Sequence, residues 1–218
     1  EEASFHVGGC NALHWAVKNR RKRMIELLLP RMTEEAFGCD PDDNRNTVVF
    51  HSAIESDIDN ALLFLTGVRD LAWLTTLDDD DNNFLHIIME EDTPELLREI
   101  LECYAEVDVR ALMTRNGSDR DPIFEGVKAN SLECLELLLP FATEETFHAH
   151  DWDGRTVLHY AIKKPRLEAA KLLLKFVPRQ SLEGIVDEDG VSVTELAQQE
   201  PVFADLLCSP PAKNAYAV

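Results

Sequence analysis

Three histidines of this 218-residue chain, His14, His86 and His159, each follow a leucine, and His148-Ala149-His150-Asp151 brings two more beside a carboxylate. Imidazoles can serve as general bases or metal ligands, and a carboxylate run such as Asp78 to Asp81 could hold calcium. The surrounding sequence supports neither chemistry. There is no Gly-x-Ser-x-Gly elbow, no Walker-type phosphate loop and no His-Glu-x-x-His pair. No other His or Cys lies at zinc spacing from His148 and His150, and the aspartate run lacks the glycine and closing glutamate of a calcium loop. The five cysteines, Cys10, Cys39, Cys103, Cys134 and Cys208, contain no Cys-x-x-Cys pair, which fits reduced thiols in a cytoplasmic or nuclear compartment. Asn116-Gly117-Ser118 is a glycosylation triplet, relevant only to a secreted chain. No catalytic residue, metal ligand or cofactor is assigned, and the chain is expected not to be an enzyme.

The histidines are better explained by what repeats around them. Six copies of one short phrase align on Asn11, Thr47, Asn83, Asp121, Thr156 and Ser192, at spacings of 36, 36, 38, 35 and 36 residues. The apolar endings at Leu29, Leu65, Leu101, Leu139 and Leu174 keep the same step. Two landmarks on one period mean a stack of small units, each burying its apolar face on its neighbours. Within a unit, Leu158, Ala161 and Ile162 fall at helical spacing, then a turn at Pro165 leads to Leu167, Ala170, Leu173 and Leu174. The fold class is therefore all-α, a solenoid of about six helical hairpins joined by finger-like turns. Pro30, Pro140 and Pro178 are expected to stop the second helix of three units. Thr33-Glu34-Glu35-Ala36-Phe37 and Thr143-Glu144-Glu145-Thr146-Phe147 then add a capped helical turn. Phe37 and Phe147, with Trp73 and Leu182 at the same offset, should each dock one apolar side chain per unit.

The clearest phrase, Thr156-Val157-Leu158-His159-Tyr160-Ala161, resembles the T-P-L-H-x-A signature of ankyrin repeats. Leu13-His14 and Leu85-His86 keep the Leu-His pair and Pro122 keeps the Pro, whereas Phe50, Phe124 and Glu195 replace His. Every unit is longer than the family's usual repeat of about 33 residues. The resemblance implies an ankyrin-type solenoid in which the recurrent histidine ties turn to helix. It also implies that Trp15, His51, Ile87, Glu125, Tyr160 and Leu196, four residues after each anchor, face a groove. Trp15, His51, Ile87 and Tyr160 are taken from this column as expected partner contacts.

Charge adds a second candidate surface. Forty-one acids against 21 bases give a net charge of −20, and acids gather just before each phrase. If the units stack, these clusters share one edge, with Asp43, Asp79, Asp80, Asp81, Trp152, Asp153, Glu188 and Asp189 as expected partner-binding positions. Turn chemistry explains aspartates there equally well, so both readings stand at this point. Such an edge attracts a basic protein segment, and the same charge disfavours nucleic acid, whose phosphates draw on Lys and Arg. The run Lys18, Arg20, Arg21, Lys22 and Arg23 is read as a solvated turn, its cations suiting the end of the preceding helix.

No apolar run approaches the 18 or so residues a membrane helix requires, so no membrane partner is expected. The repeat domain is placed at residues 1–209, with a flexible tail at 210–218. Glu1 to Phe5 resemble the end of a further upstream turn, and the irregular sixth unit reads as a C-terminal cap. Two functions follow from these features. One is a non-enzymatic module binding a basic or mixed-charge segment of another protein. The other is an accessory, substrate-recruiting domain of a larger enzyme or secreted effector.

Overall fold

The computed structural model describes residues 12–31, 57–67, 74–75, 77–177 and 179–208. Thirteen α-helices lie among them: α1 (Ala12–Lys18), α2 (Lys22–Leu28), α3 (Ile58–Gly67), α4 (Phe84–Glu91), α5 (Pro94–Cys103), α6 (Glu106–Ala111) and α7 (Pro122–Ala129). These continue as α8 (Leu132–Leu138), α9 (Glu144–His148), α10 (Val157–Lys163), α11 (Leu167–Phe176), α12 (Val193–Gln199) and α13 (Pro201–Cys208). The expected hairpins are α1/α2, α4/α5, α7/α8, α10/α11 and α12/α13. No strand forms among the described residues, apart from one antiparallel bridge between Val186 and Ser192.

At Asn83, Asp121, Thr156 and Ser192 the repeat anchor is the N-cap of the first helix, whereas Asn11 and Thr47 lie outside the described residues. Asn83 Oδ1 accepts from Leu85 N at 3.0 Å, Asp121 Oδ1 from Phe124 N at 2.8 Å, and Ser192 Oγ from Glu195 N at 3.2 Å. Short polar side chains recur there because such a side chain can satisfy an amide that has no carbonyl partner inside the helix; Thr156 instead gives its hydroxyl to His159. Between paired helices the chain reverses through left-handed residues, Arg20 at φ 52°, Asp92 at φ 50° and Asn130 at φ 68°. Asp and Asn tolerate that region better than other side chains with a Cβ. The basic run spans the α1/α2 reversal, and Lys22 Nζ lies 3.3 Å from Asp59 Oδ2 on α3.

One apolar core runs from Leu13 to Phe203. In the middle, α4 is enclosed on all sides, with Phe84 to Met89 buried consecutively. It packs on α7 so closely that a Cβ at Gly126 would stand 2.3 Å from Met89 Cε. Ser131 Oγ donates to Met89 O at 2.6 Å and fastens the same two units.

The additional helical turn is present as α9, where Thr143 N donates to Thr146 Oγ1 at 3.2 Å and Phe147 is buried. Leu182 is buried at the same offset but in a 3₁₀ turn, Arg179–Gly184. In the third unit α6 places Val109 there, fully buried, an aliphatic side chain where aromatic residues and leucine marked the other copies. Thr33 to Phe37 and Trp73 lie outside the described residues. Pro30 and Pro140 do not end the helices abruptly. The chain tightens into 3₁₀ turns, Leu29–Arg31 and Leu139–Phe141, which contain the prolines. Pro178 also lies outside the described residues.

Candidate functional site

The turns before α4, α7, α10 and α12 are four copies of one finger, at 78–82, 116–120, 151–155 and 187–191. Its first residue closes it. Asp78 Oδ1 accepts from Asp80 N and Asn82 N, both at 2.9 Å, Asn116 Oδ1 from Ser118 N and Arg120 N, and Asp151 Oδ1 from Asp153 N and Arg155 N. Asp187 Oδ1 receives Val191 N at 2.9 Å. The fourth residue is left-handed in every copy: Asp81, Asp119, Gly154 and Gly190. Gly154 in addition lies under Glu188, whose Cγ would be 2.5 Å from an added Cβ. Successive fingers are bonded to each other. Gly117 N donates to Asp80 O (2.8 Å), Trp152 N to Ser118 O (3.2 Å) and Glu188 N to Gly154 O (2.9 Å).

This geometry divides the acids in two. Asp78, Asp151 and Asp187 are buried and occupied in turn chemistry. Asp79, Asp80, Asp81, Asp119, Asp153, Glu188 and Asp189 are exposed along the edge. Trp152, at a finger tip, is 77% exposed.

Beneath the tips, polar side chains form a continuous chain across three fingers. Asn82 Nδ2 donates to Asp78 Oδ2, Asn116 Nδ2 to Asn82 Oδ1 (2.8 Å) and to Glu125 Oε1 (3.2 Å). Arg120 reaches Glu125 at 3.8 Å and Asp151 Oδ2 at 3.1 Å, while Arg155 reaches Asp151 Oδ2 at 2.9 Å and also binds Asp153. Burial by itself would raise the pKa of Asp151, but hydrogen bonds from Arg155 and Arg120 outweigh it and hold the carboxyl below its ordinary value. Lys128 Nζ pairs with Glu125 at 2.7 Å and Glu90 at 3.4 Å. Each arginine also covers a ring, Arg120 over Phe124 and Arg155 over Tyr160, both 5.2 Å from the centroid.

The groove column is only partly a surface. Trp15 is 51% exposed on α1, and Tyr160 is half-buried beneath Arg155. Ile87 corrects the sequence expectation: it is buried, because α4 is enclosed by its neighbours, and it offers nothing to a partner. Glu125, in the same register, is buried in the ion network. His51 and Asp43 lie outside the described residues. Sequence reasoning missed Arg120 and Arg155, although both stand immediately before an anchor, a recurrence at 35 residues that could have marked them.

His86 and His159 do structural work. A carbonyl only accepts, so Nε2 of His86 carries the hydrogen it donates to Arg120 O (3.0 Å), and Nδ1 accepts from Asn83 N (3.2 Å). His159 repeats this with Val191 O (2.9 Å), its Nδ1 receiving the Thr156 hydroxyl at 2.7 Å. Where Glu195 replaces His, its carboxylate takes over the cap by accepting from Ser192 N at 2.8 Å. Burial lowers the pKa of His159 and brings that of His86 down to about 4. Burial raises Asp121 to about 6.

The two shifts have opposite consequences. For His86 the unfolded chain takes up the proton first, so its contribution is complete above about pH 6.5 and is lost toward pH 4, by roughly 3 kcal/mol. Folded Asp121 retains its proton to higher pH than the unfolded chain does, so its contribution is complete below about pH 4. It falls by roughly 3 kcal/mol as pH rises to 6. Between pH 4 and 6 these two contributions therefore oppose each other. Asp121→Ser, which installs the cap used at Ser192, should expose a steep acid loss in denaturant titrations over this range. An unchanged pH profile would refute the assignment.

Models of ankyrin repeats match residues 84–182, as three copies, and residues 8–43. No curated protein matches the chain. Among solved structures, the ankyrin repeat domain of Bcl-3, described as a unique member of the IkappaB family, superposes with a TM-score of 0.75 at 20% identity, covering 92% of this chain and 86% of that one. EF0377, an ankyrin repeat protein, gives 0.74 at 17% identity, covering 96% and 100%. An ankyrin repeat domain from Acinetobacter baumannii AYE gives 0.72 at 18%, covering 89% and 95%. At such identities the likeness is one of fold. No helix among the described residues is long and apolar enough to cross a membrane.

Proposed function

Because this chain belongs to the ankyrin-repeat family, whose repeats generally mediate contacts between proteins, we propose that it is a non-enzymatic module holding a basic or mixed-charge segment of a partner protein along its finger edge. The observation that carries this reading is the separation of the acids. The carboxylates that close the turns are buried, yet every finger presents further acids: Asp79, Asp80 and Asp81 at 78–82, Glu188 and Asp189 at 187–191, and one each at 116–120 (Asp119) and 151–155 (Asp153). Closing the turn requires only the first residue; Asp81 and Asp119 also serve the left-handed position and Asp153 pairs with Arg155, while none of the exposed acids closes a turn. Neighbouring fingers bonded through their backbones hold these charges in one row, which focuses potential on an oppositely charged segment. Trp15 and the exposed edge of Tyr160 supply apolar contact beside it.

Partner capture from lysate, followed by mass spectrometry, tests this with the intact chain and a variant in which Asp79, Asp80, Asp81, Asp153 and Asp189 become Asn. None of these five closes its own turn, so the fold should survive. Partners are expected to be lost from the variant. Their affinity for the intact chain should fall about ten-fold or more between low and high salt, because exposed charges are screened over about 8 Å at physiological ionic strength. The same partners in both samples, bound independently of salt, would overturn the reading.

A further inference from the structure

We propose that the indole of Trp152 is the seat of an arginine side chain of that basic segment, its guanidinium lying on the ring face among the finger-tip carboxylates. The inference rests on the acidic-edge reading above and names one contact within it. At 77% exposure, Trp152 is the most exposed large apolar residue among those described. Its backbone is nevertheless fixed: its amide donates to Ser118 O, and its finger is closed by Asp151 Oδ1. A rigid finger that leaves an indole in water gains nothing for folding from that ring, whereas such rings are frequent anchors in protein interfaces.

The chain shows which group its rings accept in this neighbourhood. Arg120 lies over Phe124 and Arg155 over Tyr160, both arginines being the fifth residue of a finger. Among the described residues no cation lies over Trp152, the ring type with the strongest attraction for one. Acidic residues adjoin it along the backbone of the finger row. Asp153 follows in the same finger, Asp119 follows the Ser118 that receives its amide hydrogen, and Glu188 is bonded to Gly154. The nearby guanidinium groups of Arg120 and Arg155 are already matched by Glu125, Asp151 and Asp153. Arginine fits better than lysine because its plane can stack on the indole while its outer nitrogens reach a carboxylate in a two-point contact.

The test uses the whole chain and capped dodecapeptides of Gly and Ser carrying three arginines, three lysines or three citrullines, with affinities measured at low salt. Trp152→Ala should weaken the arginine peptide about five-fold, Trp152→Phe should recover part of that loss, and the lysine peptide should lose less. Citrulline, planar but uncharged, should scarcely bind. Because Trp152 is so exposed, both variants should melt as the intact chain does. If Trp152→Ala binds the arginine peptide normally while the five-asparagine variant does not, the seat is refuted and the acidic edge stands. If the five-asparagine variant also binds normally, the acidic edge itself is refuted. Equal losses for lysine and arginine peptides would overturn the arginine preference.

Discussion

Asp151→Ala is expected to destabilise the fold by about 2–3 kcal/mol, because two nearly buried guanidinium groups lose the carboxylate they share and keep only Glu125 and Asp153. Two arginines converge on this carboxylate, and their side chains are only 15% and 16% exposed, so water cannot replace it. Alanine also removes the acceptor for Asp153 N and Arg155 N, which opens the finger. Asp151→Asn separates the two effects, since an asparagine already closes the equivalent turn at Asn116. It should keep the finger and lose only the charge, with a smaller cost. Chemical denaturation ranks the three chains, and hydrogen exchange at Asp153 and Arg155 reports the turn. A loss below about 1 kcal/mol for alanine would mean that the arginines are solvated on their own.

His86→Leu is expected to cost about 2–3 kcal/mol at neutral pH, because a side chain of similar bulk leaves a buried amide and a buried carbonyl each short of one partner. The amide is that of Asn83, and the carbonyl that of Arg120, which retains only its bond from Asn116 N. The fourth unit shows why the loss is not felt equally everywhere. Phe124 has no ring nitrogen to offer the next finger, and the Arg120–Asp151 ion pair joins those two units instead. His86→Leu should also remove most of the acid sensitivity exposed by Asp121→Ser. A double variant that is as acid-sensitive as Asp121→Ser alone would refute the role given to His86.

Much of this was legible because it is local. The anchors at Asn83, Asp121, Thr156 and Ser192 are N-caps, a role set by three or four neighbouring residues, and Phe147 docks where its period places it. The division of the aspartates was half legible: turn chemistry and exposed charge were both visible as explanations, and the two occur in the same clusters. What escaped depends on contacts between units. Ile87 has the spacing of a groove residue, but it is buried within α4, a helix whose neighbours, such as α7 with Gly126 against Met89, come nearly 40 residues later. Glu125 looks like an exposed acid until Asn116, Arg120 and Lys128 are seen to surround it. Val109 carries no aromatic signal, so only the position of α6 reveals it.

The backbone bonds from Gly117 to Asp80, from Trp152 to Ser118 and from Glu188 to Gly154 turn separate loops into a graduated ruler. Its marks cannot slide independently, so the basic segment proposed above would be measured by the intervals between its cations rather than by their number. Inserting or deleting a single residue between two of those cations would put them out of phase with the marks, even though the total charge is unchanged.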